Sequence, residues 1–235
     1  MGHAAVARIQ YAASIMCADL ANLEGSIAEV EAAGADVLHV DVLDGRFSPS
    51  MPLGLETIRR MRDVTSLPFD AHVMTTDNEL FVTEMLELGA ESVTFHVETT
   101  LHVDRLIGLA RSAGAKVGVA LNPATSLSVL EFVLPLVDSV CLMLINPGYA
   151  TNASEQQVPY AAEKVSRLRG LVDEQGLATA VQVDGRVSFA TVPGLVRAGA
   201  TSLVLGSTSL FSKDGSLAEN RARLDACVAA GGGTR

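Results

Sequence analysis

The sequence contains no tryptophan, and aromatic residues make up only 4% of its 235 positions. Basic residues are also scarce, because 17 Lys and Arg stand against 27 Asp and Glu and give a formal net charge of -10. This charge disfavours a polyanion such as nucleic acid as the main partner, but it is compatible with a small phosphorylated ligand. No run of apolar residues approaches the roughly 20 that cross a membrane. We therefore expect neither a nucleic-acid nor a membrane partner.

Cysteine is rare as well. Cys17, Cys141 and Cys227 are odd in number and widely spaced, which is typical of reduced thiols rather than of a disulfide framework. The N-terminus lacks the charged, apolar and small-residue order of a secretory signal, so we expect a cytoplasmic protein. Apolar residues at 49% are ample for one core. We predict a single domain over residues 11–230, with a flexible leader at 1–10 and a flexible, glycine-rich tail at 231–235.

Strand-like and helix-like segments alternate along the chain. The predicted strands are 13–17, 37–42, 69–74, 92–96, 116–122, 139–145, 180–184 and 202–205. Helix-like segments follow each of them, among them 127–134, a longer helix ending near 174, and 189–197. Capping boxes, in which a hydroxyl and a glutamate three residues later satisfy each other's backbone N–H groups, are predicted at Thr76 with Glu79 and at Ser216 with Glu219.

Four helix-to-strand joints share a Gly-Ala pair, at 34–35, 89–90, 114–115 and 199–200. Glycine there supplies the left-handed residue that ends a helix. About eight β/α units, with strands too apolar to have a solvated face, favour an α/β fold of the closed (β/α)8 TIM barrel type. A doubly wound open sheet is the alternative.

Costly ionisable side chains lie at the ends of three predicted strands. His39 and Asp41 alternate with apolar residues and therefore share one strand face, while His72 and Asp184 occupy matching places downstream. In a barrel these strand ends meet at one mouth. Each residue alone fits a satisfied polar side chain or a turn former, but burying all four without partners is expensive. Two imidazoles and two carboxylates predict a divalent metal site, with zinc first and manganese, iron or cobalt as alternatives.

Two carboxylates at one mouth also predict acid/base chemistry. One could remove a proton from one face of a carbon while the other donates to the opposite face, and a metal could stabilise the enediolate between these steps. This arrangement predicts inversion at a carbon next to a carbonyl. Gly185 and the pair Gly206 and Ser207 end the last two strands, where such barrels often bind phosphate through backbone N–H groups. The alternative is that they are only turn residues.

At these residues the sequence resembles the ribulose-phosphate 3-epimerase family, including its allulose-6-phosphate 3-epimerase branch, over residues 14–211. The matching stretches are 14–19, 39–45, 70–74, 96–98, 121–125, 146–149, 183–185 and 206–207. The resemblance implies a (β/α)8 barrel and a homo-oligomer. It implies one divalent metal held by His39, Asp41, His72 and Asp184, with Asp41 and Asp184 as the acid/base pair that epimerises C3 of a ketose phosphate. Our candidate substrate-binding residues are Ser14, Met74, Met143, Gly148, Gly185, Arg186, Gly206 and Ser207.

The phosphate-binding region departs from the family pattern. Members usually have a short glycine-rich run ending in glutamine where this chain has the longer segment Tyr149 to Gln157 without glycine. Arg186 stands where the family usually has glycine or serine. Its planar fork could clamp a phosphate or carboxylate, fill the phosphate's place, or point to solvent.

We therefore predict an isomerase, a metal-dependent 3-epimerase of the ribulose 5-phosphate and xylulose 5-phosphate type in pentose phosphate metabolism. An epimerase or isomerase for a different anionic or unphosphorylated ketose is the alternative within the enzyme class. A barrel that binds a sugar phosphate without turnover is the alternative outside it, and the four costly ionisable residues argue against it.

Overall fold

The protein folds into a closed barrel of eight parallel strands in a computed structural model that describes residues 8–150, 152 and 154–235. The strands are β1 (Gln10–Ser14), β2 (Val37–Leu43), β3 (Phe69–Met74), β4 (Ser92–His96), β5 (Lys116–Leu121), β6 (Ser139–Met143), β7 (Ala180–Asp184) and β8 (Ser202–Leu205). The helices are α1 (Leu23–Ala32), α2 (Leu55–Arg62), α3 (Asn78–Glu87), α4 (Val103–Ser112), α5 (Ala161–Glu174), α6 (Val192–Arg197) and α7 (Leu217–Ala230). None of these helices is long and apolar enough to cross a membrane.

Every strand pairs in parallel with its sequence neighbours, and β8 returns to pair with β1 through Tyr11 beside Leu203 and Ala13 beside Leu205. This closure confirms the predicted (β/α)8 barrel and excludes the open sheet. The strand periodicity explains it, because each strand is apolar toward the helices and must be covered there.

The two faces of the strands differ in chemistry. One alternate set, for example Val40, Val73 and Phe95, is buried in a single large apolar cluster together with helix residues such as Ile58 and Met85. Because successive side chains point to opposite faces, the other set fills the barrel interior. The large apolar cluster between barrel and helices is therefore the main core of the fold.

Polar side chains occupy much of the barrel interior. His39, Asp70, Gln182 and Ser202 are all buried. Gln182 donates from Nε2 to Asp70 Oδ2 at 2.8 Å and to Ser202 Oγ at 3.2 Å, and Ser202 donates to Gln10 Oε1 at 3.0 Å. Buried polar groups are normally hydrogen-bonded, and this network pairs the amide NH2 of Gln182 and the hydroxyl of Ser202, while Gln182 Oε1 has no partner among the described residues.

The glycine joints behave as predicted. Gly34, Gly89, Gly114 and Gly199 have φ of 74°, 76°, 79° and 104° at the ends of their helices, a region that glycine enters without steric cost. The capping box of Ser216 with Glu219 is also present.

The capping box predicted at Thr76 and Glu79 is wrong. The hydroxyl and the N–H of Thr76 both donate to Asp44 Oδ2, so this hydroxyl is already engaged outside the helix. Asp77 takes the cap position instead and accepts from the N–H of Leu80 at 3.3 Å.

Three predicted elements differ in type or by three residues at a boundary. The helix expected at 127–134 is replaced by two short 3₁₀ turns, Leu127–Leu130 and Leu134–Leu136. Pro135 lies in the first turn of the second one and disfavours the α region for the residue before it. The helix expected from 189 begins at Val192, with Pro193 in its first turn. The first strand is Gln10–Ser14 rather than 13–17.

Residues 231–235, expected to form a flexible tail, contact the barrel. The guanidinium of Arg235 lies 3.8 Å from the centroid of the Tyr11 ring and pairs with Asp36. Thr234 accepts from the N–H of Ile9 at 2.8 Å. These contacts arise because the chain end lies beside the first strand. The predicted leader falls mostly outside the described residues, and the domain limits remain a prediction.

Candidate metal and active site

Four potential metal ligands meet at the carboxyl ends of the strands. His39 and Asp41 come from β2, His72 from β3 and Asp184 from the last residue of β7. One ligand atom from each lies within 4.8 Å of all the others. The structure therefore brings together the set predicted from strand periodicity.

The separations within this cluster fit one ion. His39 Nε2 is 3.5 Å from Asp41 Oδ1, and His72 Nδ1 is 3.7 Å from Asp41 Oδ1 and 3.4 Å from Asp184 Oδ2. Four N and O ligands placed tetrahedrally at about 2.1 Å from one ion lie about 3.4 Å from each other. These distances match that arrangement and are too long for direct hydrogen bonds.

Two imidazole nitrogens in the cluster have no hydrogen-bond partner. His39 Nε2 and His72 Nδ1 are buried and unpaired in the part of the chain that the structure describes, although a buried polar atom normally has a partner. They are the nitrogens that face the carboxylates. Unsatisfied lone pairs beside two carboxylates fit a divalent cation, so the four residues can hold a metal ion.

The charges within the cluster shift its acid/base properties. Burial alone would raise the pKa of Asp41, but the nearby His39 and His72 outweigh burial and lower this pKa well below its usual range. Burial would lower the pKa of His39, but Asp41 and Asp70 outweigh it and raise this pKa. Ser14 donates to Asp41 Oδ2 at 2.8 Å, which further supports the ionised carboxylate. Asp41 is thus held in the ionised form, which suits a ligand of a cation.

A carboxylate outside the cluster orients His39. Asp70 Oδ2 lies 2.8 Å from His39 Nδ1, and Asp70 Oδ1 accepts from the Ser92 hydroxyl at 2.8 Å. An imidazole that donates from Nδ1 presents the lone pair of Nε2. In His39 that lone pair points into the cluster.

A second chain of contacts leads away from His72. His72 Nε2 lies 3.1 Å from His96 Nε2, and His96 Nδ1 lies 3.1 Å from Glu98 Oε2. His96 is fully buried and packs against the Phe47 ring, with centroids 4.6 Å apart. Burial lowers the pKa of His96 to about 4. The pKa of Glu98 falls to about 2 because the hydrogen bonds from His96 and Thr125 outweigh the opposing effect of burial.

A cavity opens beside the cluster at the barrel mouth. Asp41 and Asp184 line it, and so do all eight candidate substrate-binding residues: Ser14, Met74, Met143, Gly148, Gly185, Arg186, Gly206 and Ser207. These residues come from the ends of six different strands and the segments that follow them. Their binding role remains a proposal, and their common location is a property of the fold.

Arg186 connects β7 to the segment that departs from the family pattern. Its Nη2 donates to the carbonyls of Ala150 and Asn152 at 3.0 and 2.8 Å. In return, Gln157 Nε2 donates to the carbonyls of Gly185 and Arg186 at 2.9 and 3.0 Å. Arg186 Nε is buried without a partner among the described residues. The side chain thus lies along the cavity wall and does not extend freely into solvent.

Comparison with known proteins agrees with this site. The family described as Ribulose-phosphate 3 epimerase family matches residues 10–211. The chain belongs to this family. It is 41% identical over 204 residues to the chloroplastic ribulose-5-phosphate-3-epimerase of Arabidopsis thaliana, covering 86% of this chain and 71% of that protein. It is 37% identical to the ribulose-phosphate 3-epimerase of Treponema pallidum (strain Nichols), covering 87% of this chain and 96% of that protein.

Solved structures of other enzymes share only the fold with this chain. A mutant α-subunit of tryptophan synthase from Pyrococcus furiosus has a TM-score of 0.62 at 16% identity, covering 95% of this chain and 98% of that one. Thiamine phosphate pyrophosphorylase from the same organism has a TM-score of 0.62 at 13% identity, covering 94% and 95%.

Three residues that hydrogen-bond to the potential metal ligands, directly or through one another, were not predicted from the sequence as site residues. Asp70, His96 and Glu98 all lie in stretches that carry the resemblance, but no role was assigned to them. One signal was available for Asp70, which stands two residues before His72 and therefore shares its strand face. The contacts of Glu98 with the segment after β5 could not be read from spacing.

Proposed function

We propose that this protein epimerises C3 of a ketose phosphate of the ribulose 5-phosphate and xylulose 5-phosphate type by proton transfer between two carboxylates. The observation that carries the proposal is the position of Asp41 and Asp184. They reach one cavity from β2 and β7, and each lies within 3.7 Å of His72 Nδ1. Two bases on separate strands can address opposite faces of one carbon.

Asp41 is suited to remove or return a proton at C3. The hydroxyl of Ser14 fixes Oδ2 of this carboxylate, and Oδ1 faces the imidazoles. When the C3–H bond breaks, the proton moves to one carboxylate, and the electron pair delocalises toward the neighbouring carbonyl to give an enediolate. The second carboxylate, Asp184, then delivers a proton to the opposite face of C3. In the reverse direction the two residues exchange roles.

His39, Asp41, His72 and Asp184 would hold the metal, and the unpaired imidazole nitrogens support this assignment. We propose zinc first, because two imidazoles and two carboxylates with near-tetrahedral spacing suit it, with manganese, iron or cobalt as alternatives. When bound, the ion supplies positive charge beside the substrate oxygens on which negative charge develops.

Arg186, Gly185, Gly206 and Ser207 would bind the phosphate end of the substrate. They line the side of the cavity formed by β7 and β8, and an arginine fork suits a phosphate oxygen pair. Met74 and Met143 would pack along the carbon chain between the two ends.

A second candidate is an epimerase for a different anionic or unphosphorylated ketose. The contacts of Arg186 with Ala150 and Asn152 favour it, because they use donors that would otherwise be available to a phosphate. A sugar-phosphate-binding barrel without turnover is a third candidate. The cytoplasmic location and the homo-oligomer expected from the sequence remain predictions.

Proton NMR in heavy water distinguishes these candidates. We expect metal-loaded protein with ribulose 5-phosphate to lose the C3 proton signal and to form the epimer. Chelator-treated protein and Asp184→Asn are the controls. If the protein does not exchange the C3 proton of ribulose 5-phosphate but does exchange that of another ketose, the result would support the second candidate and refute the first. Binding without exchange for any ketose would support the third candidate and refute the epimerase.

A further inference from the structure

Glu98 is unusually well placed to fix the orientation of its two carboxylate oxygens. Oε1 accepts from the N–H of Asn122 at 2.7 Å and from the hydroxyl of Thr125. Oε2 is 3.1 Å from His96 Nδ1. An ionised carboxylate can only accept hydrogen bonds, so His96 must carry a proton on Nδ1.

The proton on His96 Nδ1 determines the proton position on the next ring. A neutral imidazole has one donor and one acceptor nitrogen, so His96 Nε2 is an acceptor. His72 Nε2, at 3.1 Å, must then be the donor. The two ring planes differ by 18° and the ring centroids are 5.2 Å apart, which is compatible with an N–H···N bond between the facing Nε2 atoms. A neutral His72 ring, the form that binds a metal, then has its lone pair on Nδ1, which is the unpaired nitrogen that faces the cluster.

We infer that Glu98 and His96 are positioning residues for the metal ligand His72, and that Glu98 selects the tautomer of His72 through two consecutive hydrogen bonds. Neither residue is one of the four potential ligands, and only His96 contacts one of them, His72. Asp70 does the same for His39 in a single step. The inference rests on the metal site of the proposed function and is independent of which ketose is turned over.

We call the two hydrogen bonds that connect Glu98, His96 and His72 the relay. It predicts that, of two isosteric variants, the one farther from the cluster weakens metal binding more. In Glu98→Gln the amide oxygen is required by the two donors at Asn122 and Thr125, so the amide NH2 faces His96 Nδ1 and donates to it. His96 Nε2 must then carry the proton and donate to His72, which moves the proton of His72 to Nδ1 and blocks its lone pair. The distant substitution therefore weakens metal binding.

Asp70→Asn should have the smaller effect although Asp70 is closer. His39 Nδ1 and Gln182 Nε2 both donate to Oδ2 of Asp70, so the amide oxygen of the variant can accept both hydrogen bonds. Its NH2 then faces Ser92, whose hydroxyl can accept as well as donate. The tautomer of His39 is kept, and only the negative charge is lost.

Co²⁺ binding, measured by competition with a chromogenic chelator, tests the inference. We expect Glu98→Gln to weaken Co²⁺ affinity by about 10- to 100-fold, the range for residues that orient metal ligands, and Asp70→Asn to weaken it less. Glu155→Gln is the matched control, because Glu155 Oε1 accepts from the backbone and side chain of Asn146 near the end of β6. It should bind Co²⁺ like the wild type.

A double-mutant comparison separates the relay from general damage. In a His96→Leu background, which lacks the connecting ring, Glu98→Gln should change Co²⁺ affinity by less than about threefold. An equal loss in both backgrounds, or a Glu98→Gln protein that matches the wild type, would overturn the inference. Circular dichroism and thermal unfolding of the metal-free variants check that each one folds.

Histidine tautomers in the wild-type protein give a test that needs no variant. Long-range ¹H–¹⁵N NMR of the metal-free, histidine-labelled protein should show His96 protonated on Nδ1 and not on Nε2. A proton on Nε2 would refute the relay. Absence of Co²⁺ binding by the wild type would instead refute the metal assignment, and the tautomer measurement would still decide the relay.

Discussion

Replacing Arg186 with glycine should weaken substrate binding, while its opposing effects on stability should partly cancel. Arg186 has φ of 49° and is the only residue other than glycine with positive φ in the described part of the chain. Left-handed geometry costs a side chain about 1–2 kcal/mol that glycine does not incur. The variant also loses two hydrogen bonds to loop carbonyls, worth about 0.5–1.5 kcal/mol each. These effects oppose each other, so the unfolding free energy should change by no more than about 2 kcal/mol.

The effect on a phosphorylated substrate should be larger and in one direction. A hydrogen bond from a charged donor contributes about 1.5–3 kcal/mol, which corresponds to a loss of about 10- to 150-fold in kcat/KM. We expect most of the loss in KM, because Arg186 contacts the far end of the substrate and the reacting carbon lies at Asp41 and Asp184.

Steady-state kinetics with ribulose 5-phosphate measures this prediction, and thermal unfolding measures the stability. Arg186→Lys, which keeps the charge without the planar fork, should fall between the wild type and the glycine variant. Activity with unphosphorylated D-ribulose, where detectable, should not respond to the substitution. A folded Arg186→Gly protein whose KM for ribulose 5-phosphate stays within threefold of the wild type would refute phosphate binding by Arg186 and leave it as a contact that orders the loop.

Four further predictions concern single side chains. Asp184→Asn should lower kcat by at least about 10²-fold while far-UV circular dichroism stays unchanged; surviving turnover would refute the two-base assignment. Phe95→Ala, at a fully buried position, should lower the unfolding free energy by about 3–5 kcal/mol in urea denaturation. Gly148→Ala places a Cβ 2.1 Å from Ser48 Oγ at φ of 80°, so its unfolding temperature should fall, and a wild-type value would contradict the close approach. The pKa of Asp44 is lowered to about 2 because backbone N–H donors at Thr76, Phe47 and Arg46 outweigh burial, so its stabilisation is complete above pH 3.8 and lost as the pH falls toward 2. The difference in unfolding temperature between the wild type and Asp44→Asn should therefore shrink between pH 5 and pH 2.5.

The barrel could be predicted because its signals are local and repeated. Short apolar segments located all eight strands within a few residues, and the Gly-Ala joints marked four helix ends. The errors arose where a distant contact decided the local structure. Thr76 and Glu79 have the spacing of a capping box, but the hydroxyl of Thr76 donates to Asp44, 32 residues earlier. No sequence window around Thr76 contains that information.

The difference between local signals and distant contacts also explains which site residues could be predicted. His39, Asp41, His72 and Asp184 could be predicted because each is polar at the end of an apolar strand. Their joint location then followed from the barrel. Asp70 could be placed on the strand face of His72, but the partners of Asp70 and Glu98 could not be predicted, because an acidic residue in a sequence does not reveal which atoms it accepts from. That depends on neighbours in other strands.

Stability and chemistry are largely separated in this barrel, and the separation explains why the supporting carboxylates matter. The main apolar cluster lies between strands and helices, while the interior holds only small apolar groups, such as Ala120, Cys141 and Met143, beside its polar network. A buried donor without an acceptor is costly, so most donors of the polar interior are paired. Asp70 and Glu98 supply acceptors and leave one lone pair free on each of His39 and His72. The hydrogen bonds that pair the buried imidazole donors therefore also determine which nitrogens, Nε2 of His39 and Nδ1 of His72, remain available to a cation.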